Sequence, residues 1–318
     1  MDKKLTRRDL LKSGAVAAGM LTIGDFGYAK EEQAKSTVFF TKDISAEGLK
    51  KLYTRINKNM TGKIAVKVHT GEPKAPNIIP TTMVKEFIKV VPNSTIVECN
   101  VLYGSPRQNT AGHRKTLIEN GWTFCPVDIM DAEGDINLPI PGGKWLKEVA
   151  VGKNIVNYDS MLVLTHFKGH TMGGFGGSLK NISIGCASGK KGKAQIHKEG
   201  DNQWAGGSNF MERMVEGGLA ITNHFGANIV YINVLRNMSV DCDCAGTGAA
   251  KPTTPNIGIL ASTDILAIDQ ASIDMVYSLP EREKHDLVER IESRSGLRQL
   301  TYMSEMKMGN SKYELVNI

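Results

Sequence analysis

The densest chemistry in this 318-residue chain lies between His166 and His197. His166-Phe167-Lys168-Gly169-His170 is followed by Gly173-Gly174-Phe175-Gly176-Gly177, then Lys180-Asn181, and His197 closes the stretch. Neutral imidazole takes up protons near pH 7 and ligates metals, so His166, His170 and His197 are candidate acid/base groups or metal ligands. Glycine has no Cβ, so the backbone at Gly174, Gly176 and Gly177 can come close to a cofactor beside the Lys180 amine. The apolar run 161–164 leads into the stretch, which therefore begins where a buried strand ends. In α/β proteins such strand ends are rigid and the loops beyond them vary, so a metal or metal-bearing cofactor is expected on this loop.

Asp241-Cys242-Asp243-Cys244 is the second reactive stretch. Two thiols two residues apart beside two carboxylates suit a metal ion, which makes Cys242 and Cys244 candidate ligands; the alternative is an acidic surface turn. Other motifs fail on inspection. His166 and His170 stand four apart, but a zinc-protease helix needs Glu where Phe167 stands. The glycine run lacks dinucleotide-binding spacing and a strand-turn-helix setting, and Gly189-Lys190-Lys191 lacks the Ser or Thr of a phosphate loop. Asp264, Asp269 and Asp274 do not share a helix face, so each reads as a capping or solvated residue. The five cysteines form no ferredoxin array, and Cys99 and Cys125 either pair or are simply buried.

Alternating or continuous apolar runs predict strands near 37–40, 63–69, 95–99, 124–130, 161–165, 229–234, 256–261 and 313–318. Helices are predicted near 46–57, 80–91, 112–120, 209–223, 264–279 and 281–292, with a loop and edge-strand excursion at 134–152. This order predicts an α/β protein with a largely parallel sheet covered by helices, two-lobed, with a cleft and a lobe boundary near 134–160. The formal charge of +6 falls to +4 once the first 29 residues are set aside, and no basic run with interleaved aromatics argues for nucleic acid.

Thr6-Arg7-Arg8-Asp9-Leu10-Leu11-Lys12 resembles a twin-arginine export signal, with an apolar stretch at 14–23 and a small-residue cleavage site at Gly27-Tyr28-Ala29. Its apolar run is far short of the roughly 20 residues that span a bilayer. The reading is a signal peptide over 1–29, a charged linker at 30–35, the twin-arginine translocase as export partner, and a periplasmic protein without a membrane span. That route carries folded proteins with cofactors already inserted.

From residue 35 to the end the chain resembles the domain of unknown function family 362, whose members are often labelled iron-sulfur proteins. The residues carrying this are His170-x-x-Gly-Gly-Phe-Gly-Gly-x-x-Lys180-Asn181, Lys193-x-x-x-His197, and Ile259-Leu260-Ala261-Ser262-x-Asp264-x-x-Ala267-x-Asp269. Over residues 63–200 it is also similar to the nickel-dependent lactate racemase family, through Gly112-His113-Arg114, His170 to Lys180, and His197. That resemblance implies a nickel-pincer nucleotide anchored on Lys180, nickel on His197, and proton exchange with a small 2-hydroxy or sugar acid by His113 and His170. Lys74 would contact a cofactor phosphate, and Arg107 or Arg114 the substrate carboxylate. The alternative is an exported iron-sulfur or metal-binding protein, without racemase chemistry, centred on Cys242 and Cys244.

Overall fold

The computed structural model describes residues 35–318, and the predicted export signal and the linker up to residue 34 lie outside them. The chain enters through β1 (Ser36–Thr41) and α1 (Ala46–Ile56), whose first turn is capped by the Ser45 hydroxyl. Strand–helix alternation continues with β2 (Ile64–Lys67), α2 (Thr81–Phe87), β3 (Ser94–Glu98), α3 (Thr110–Glu119) and β4 (Val127–Ile129). A separate hairpin of β5 (Asp135–Pro139) and β6 (Glu148–Gly152) precedes β7 (Ser160–His166). Then come the short hairpin β8 (Lys168–His170) and β9 (Gly174–Gly176), followed by α4 (Ser178–Cys186), α5 (Gly192–His197) and α6 (Gly207–Phe225). The remainder is β10 (Ile229–Leu235), β11 (Gly258–Ser262), α7 (Ile265–Tyr277), α8 (Glu281–Ser293), α9 (Arg298–Glu305) and β12 (Tyr313–Asn317).

Eight strands form one sheet in the order β12-β1-β11-β10-β7-β2-β3-β4, and only β11 runs against its neighbours. The largely parallel, helix-covered sheet expected from the sequence is therefore present. Strands on either side of the predicted boundary at 134–160 pair in this one sheet, and Lys35–Ile318 cluster as one unit. Among the described residues no helix is long and apolar enough to cross a membrane.

Side-chain alternation divides the core between the two faces. Met161 and Val163 of β7 join Tyr231 of β10 beneath α4, α6 and α7, while Leu162, Leu164, Val230 and Ile232 pack against α1 and α2 on the other face. All five cysteines are free thiols, so no Cys99–Cys125 bridge forms, and Cys99 is buried.

The glycine run does have a strand–helix setting after all: β9 ends at Gly176 and α4 begins at Ser178. No side chain of its own caps this helix. The cap comes from Asp269 on α7, which accepts from Ser178 N–H at 2.8 Å, Leu179 N–H at 2.9 Å and Asn233 Nδ2 at 2.9 Å. A Cβ on Gly177 would lie 2.5 Å from that carboxylate, so glycine is required there. Asp264 caps α7 in turn by accepting from Ala267 N–H. Replacing Asp269 with Ala strands three buried donors and should lower unfolding free energy by about 2–4 kcal/mol in urea titration. A loss under about 1 kcal/mol would remove the cap from the argument.

Candidate active site

From β2 the chain lays β3 and β4 on one side, then places β7 and β10 on the other. Ligands of open α/β sheets bind outside the carboxyl ends of the strands at such a reversal. Here the ends of β2, β3 and β7 deliver Lys67 and His69, Glu98, and Lys168 and His170 to a cavity of about 290 Å³. Lys180 and Asn181 enter from α4, Lys193 and His197 from α5, and Trp204 and Cys244 from the loops around the rim.

Asn181 seats α4 on the sheet. Its amide donates to Leu164 O at 3.2 Å and Thr165 Oγ1 at 3.0 Å, and its oxygen accepts from Lys67 Nζ at 2.9 Å. The Lys67 amine also meets Glu98 at 2.9 Å, and Arg107 reaches the other Glu98 oxygen at 2.6 Å and Glu72 at 3.2 Å. Burial pushes the Glu98 carboxyl up, but Lys67 and Arg107 overrule it and hold it well below the usual range. Asp243 behaves alike: burial is outweighed by His166 at 2.9 Å and Lys168 at 3.2 Å.

Around Cys242 the surroundings favour the thiolate. Hydrogen bonding from the Cys244 thiol lowers its pKa well below normal against the opposing effect of burial, aided by Lys180 and by a hydrogen bond from His69. Lys180 Nζ lies 3.6 Å from the sulfur, and burial of that amine is outweighed by the thiolate, which raises its pKa. The ligand atoms of His170, Cys242 and Cys244 all fall within 4.8 Å of one another.

Backbone donors fix the two nearest imidazoles. His170 Nδ1 accepts from Gly173 N–H at 2.8 Å and Met172 N–H at 3.2 Å, and His69 Nδ1 accepts from Gly71 N–H at 3.1 Å. Each neutral ring therefore carries its proton on Nε2. Burial, then Lys180, lowers the His170 pKa, and burial lowers that of His69, so both are neutral at pH 7. Metal ligation through His170 Nε2 would require protonated Nδ1 and the loss of both backbone bonds. His197 differs: its Nδ1 is buried without a hydrogen-bond partner, its ring stacks on Phe210 at 4.9 Å, and burial with Lys180 pushes its pKa down to about 3.

The hairpin carrying His170 is clamped by later segments. Gln299 Nε2 on α9 donates to Gly173 O at 2.7 Å and Phe175 O at 3.2 Å. A Cβ on Gly174, at φ 73°, would come within 2.8 Å of Gly296 Cα.

His170, Lys180, His197, Gly176, Gly177 and Cys244 thus line one cavity, with Cys242 bonded to Lys180 at its wall. Four candidates do not. His113 sits behind Arg107, accepting from its Nε at 3.2 Å while its own Nδ1 faces Asn100, so it orients the guanidinium from outside the cavity lining. His166 spends both nitrogens on Asp243 and the Arg236 carbonyl and has none for a metal. Lys74 is on the surface beside Glu119, and Gly174 packs on α8 and its following turn. Of the two candidate arginines, Arg107 lines the cavity and Arg114 is exposed. The sequence reading missed His69, Lys67, Lys168 and Glu98 as site residues. Their signal was a charged or imidazole residue at the carboxyl end of an otherwise apolar strand.

The family model for the domain of unknown function DUF362 matches residues 64–274. The chain belongs to this family. No curated protein matches it. Among solved structures, this DUF362 chain is similar to the lactate racemase apoprotein of Thermoanaerobacterium thermosaccharolyticum, with TM-score 0.41, 14% identity, and coverage of 75% of this chain and 56% of that one. It is also similar to a Thermotoga maritima protein, with TM-score 0.40, 13% identity, and coverage of 79% and 58%. The DUF362 chain spans under two-thirds of either structure.

Glu98→Gln leaves Lys67 and Arg107 buried without their shared anion and should cost about 3–5 kcal/mol. Because the folded Glu98 carboxyl titrates well below its unfolded value of about 4.3, its stabilisation is complete above that pH and declines as pH falls toward the folded value. Urea unfolding from pH 7 to 3 should show a shallower acid limb in the variant, and parallel limbs would contradict this account.

Proposed function

We propose that this chain is an exported metal-dependent enzyme, racemase-, epimerase- or oxidoreductase-like, acting on a small 2-hydroxy acid or sugar acid. The observation that carries the reading is the soft donor pair Cys242 and Cys244 gathered with Lys180, His69 and His170 at a cationic cavity. Two thiols suit a soft or borderline metal such as nickel, so Cys242 and Cys244 would supply its sulfur ligands. His197 is the imidazole of the same cavity whose Nδ1 is not engaged by a hydrogen bond. Lys180 is the amine positioned to anchor a larger cofactor. When bound, a nickel-bearing cofactor would supply a Lewis acid and a hydride acceptor.

The chain's own residues handle protons and position. His170 and His69 are neutral rings with the proton on Nε2. Either could take a hydroxyl proton only after passing to its Nδ1–H tautomer and releasing the backbone donors that now hold Nδ1. In this reading His69, which lines the cavity, takes the part that the resemblance to the racemase family implied for His113. Buried cations draw in an anionic substrate, and the cavity walls exclude water from the proton exchange. Arg7 and Arg8 support export by the twin-arginine route.

Protein from its native host, purified without oxygen, should contain about one metal equivalent that Cys242→Ser/Cys244→Ser loses. Chiral chromatography should show interconversion of 2-hydroxy acid enantiomers, reduced by about 100-fold or more in His170→Ala and His69→Ala. Metal-free protein that is inert toward all 2-hydroxy acids would end the enzyme reading. Metal without turnover would favour the alternative suggested by the paired thiols, a metal- or iron-sulfur-binding protein.

A further inference from the structure

Among the described residues, one buried cation of the cavity makes no ion pair. Lys67 pairs with Glu98, Arg107 with Glu98 and Glu72, Lys168 with Asp243, and Lys180 with the Cys242 sulfur. Lys193 lines the same cavity and is only 5% exposed, and its amine donates to the Ala187 carbonyl at 2.6 Å. Among the described residues no carboxylate lies within ion-pair distance of it, and a neutral carbonyl does not balance a buried ammonium.

We propose that Lys193 is the anchor for the carboxylate of a small monocarboxylate substrate. Lys193 and His197 stand four apart on α5, so both side chains leave one face of the helix into one cavity. The anchored anion would lie beside the imidazole whose Nδ1 has no partner. An ammonium has three donors, and one is used on Ala187, leaving two for a carboxylate. A single negative charge balances the single unmatched cation, whereas a dianionic phosphate would bury a second, unmatched charge. A cavity of about 290 Å³ suits a ligand of few heavy atoms. Burial pushes the Lys193 ammonium down, with Cys99 and Asp131 opposing, and an arriving carboxylate would restore it. This deepens the reading above by naming the group its substrate must carry. It rests on the cavity being the substrate site and does not require the metal.

Calorimetric titration of the metal-free full chain with sodium lactate tests it, with inorganic phosphate as the second probe. Lactate should bind at one site, Lys193→Met should weaken it by about tenfold or more, and Lys193→Arg should stay within about threefold of the parent. Phosphate should not bind over the same range. Equal affinity in Lys193→Met, no lactate binding to the parent, or preferential phosphate binding would each overturn the assignment. If Lys193→Met fails to fold, the His197 ring nitrogen signals of the parent decide: they should move on lactate addition, and unmoved signals overturn the proposal. Lactate binding through Lys193 in a protein that takes up no metal would support this anchor while removing the metal reading.

Discussion

Glu98 ends β3 with its two oxygens between Lys67 Nζ and the Arg107 guanidinium, at 2.9 and 2.6 Å. Without that carboxylate two cations would face each other in a dry interior, at a cost several times the worth of an ordinary hydrogen bond. With it, Lys67 is free to reach Asn181 at 2.9 Å and so to fix the helix that carries Lys180. Arg107, held from three directions, sets one cavity wall and uses His113 as its brace. The position of the site is thus a consequence of how the sheet neutralises its own buried charge.

The polar residues on the α4-facing side of the sheet form the complementary half of this arrangement. Lys67, Thr165 and Asn233 are buried near the ends of adjacent, mostly apolar strands. Each meets α4 or its cap: Asn181 contacts Lys67 and Thr165, and Asn233 accepts from the Ser178 hydroxyl while donating to Asp269. Polar groups buried this deep are tolerated only when satisfied, so they define a single seat for the helix instead of a slippery apolar one.

The sheet was legible because period-two alternation and continuous apolar runs are local signals, and they located β7 and the loop beyond it. The helices α4 and α5 were not legible. The first, Ser178–Cys186, is buried on most sides and capped by a residue of α7, so it shows neither an amphipathic stripe nor a start signal. The second is only six residues long. His170, Lys180 and His197 line the cavity, and residue type and spacing had singled them out. For His113 and His166 the same clues failed, because a nearby Arg107 or Asp243 occupies the ring, and that depends on tertiary contact. His69 was overlooked although it closes a strand that the pattern had identified. The capping role read for Asp264 and Asp269 holds, and the cap on Asp269 spans 91 residues.

The Gln299 clamp on the hairpin ties this site to the order of synthesis. A ribosome releases His170 well before it makes the glutamine that holds Gly173 and Phe175 from α9. Until that amide arrives, the two carbonyls lack their donor and the turn that aims the imidazole is without its outer support. The pocket wall is therefore completed only once α9 has been made and has docked. The wall that His170 contributes to the cavity thus depends on a contact that Gly173 makes 126 residues further along the chain.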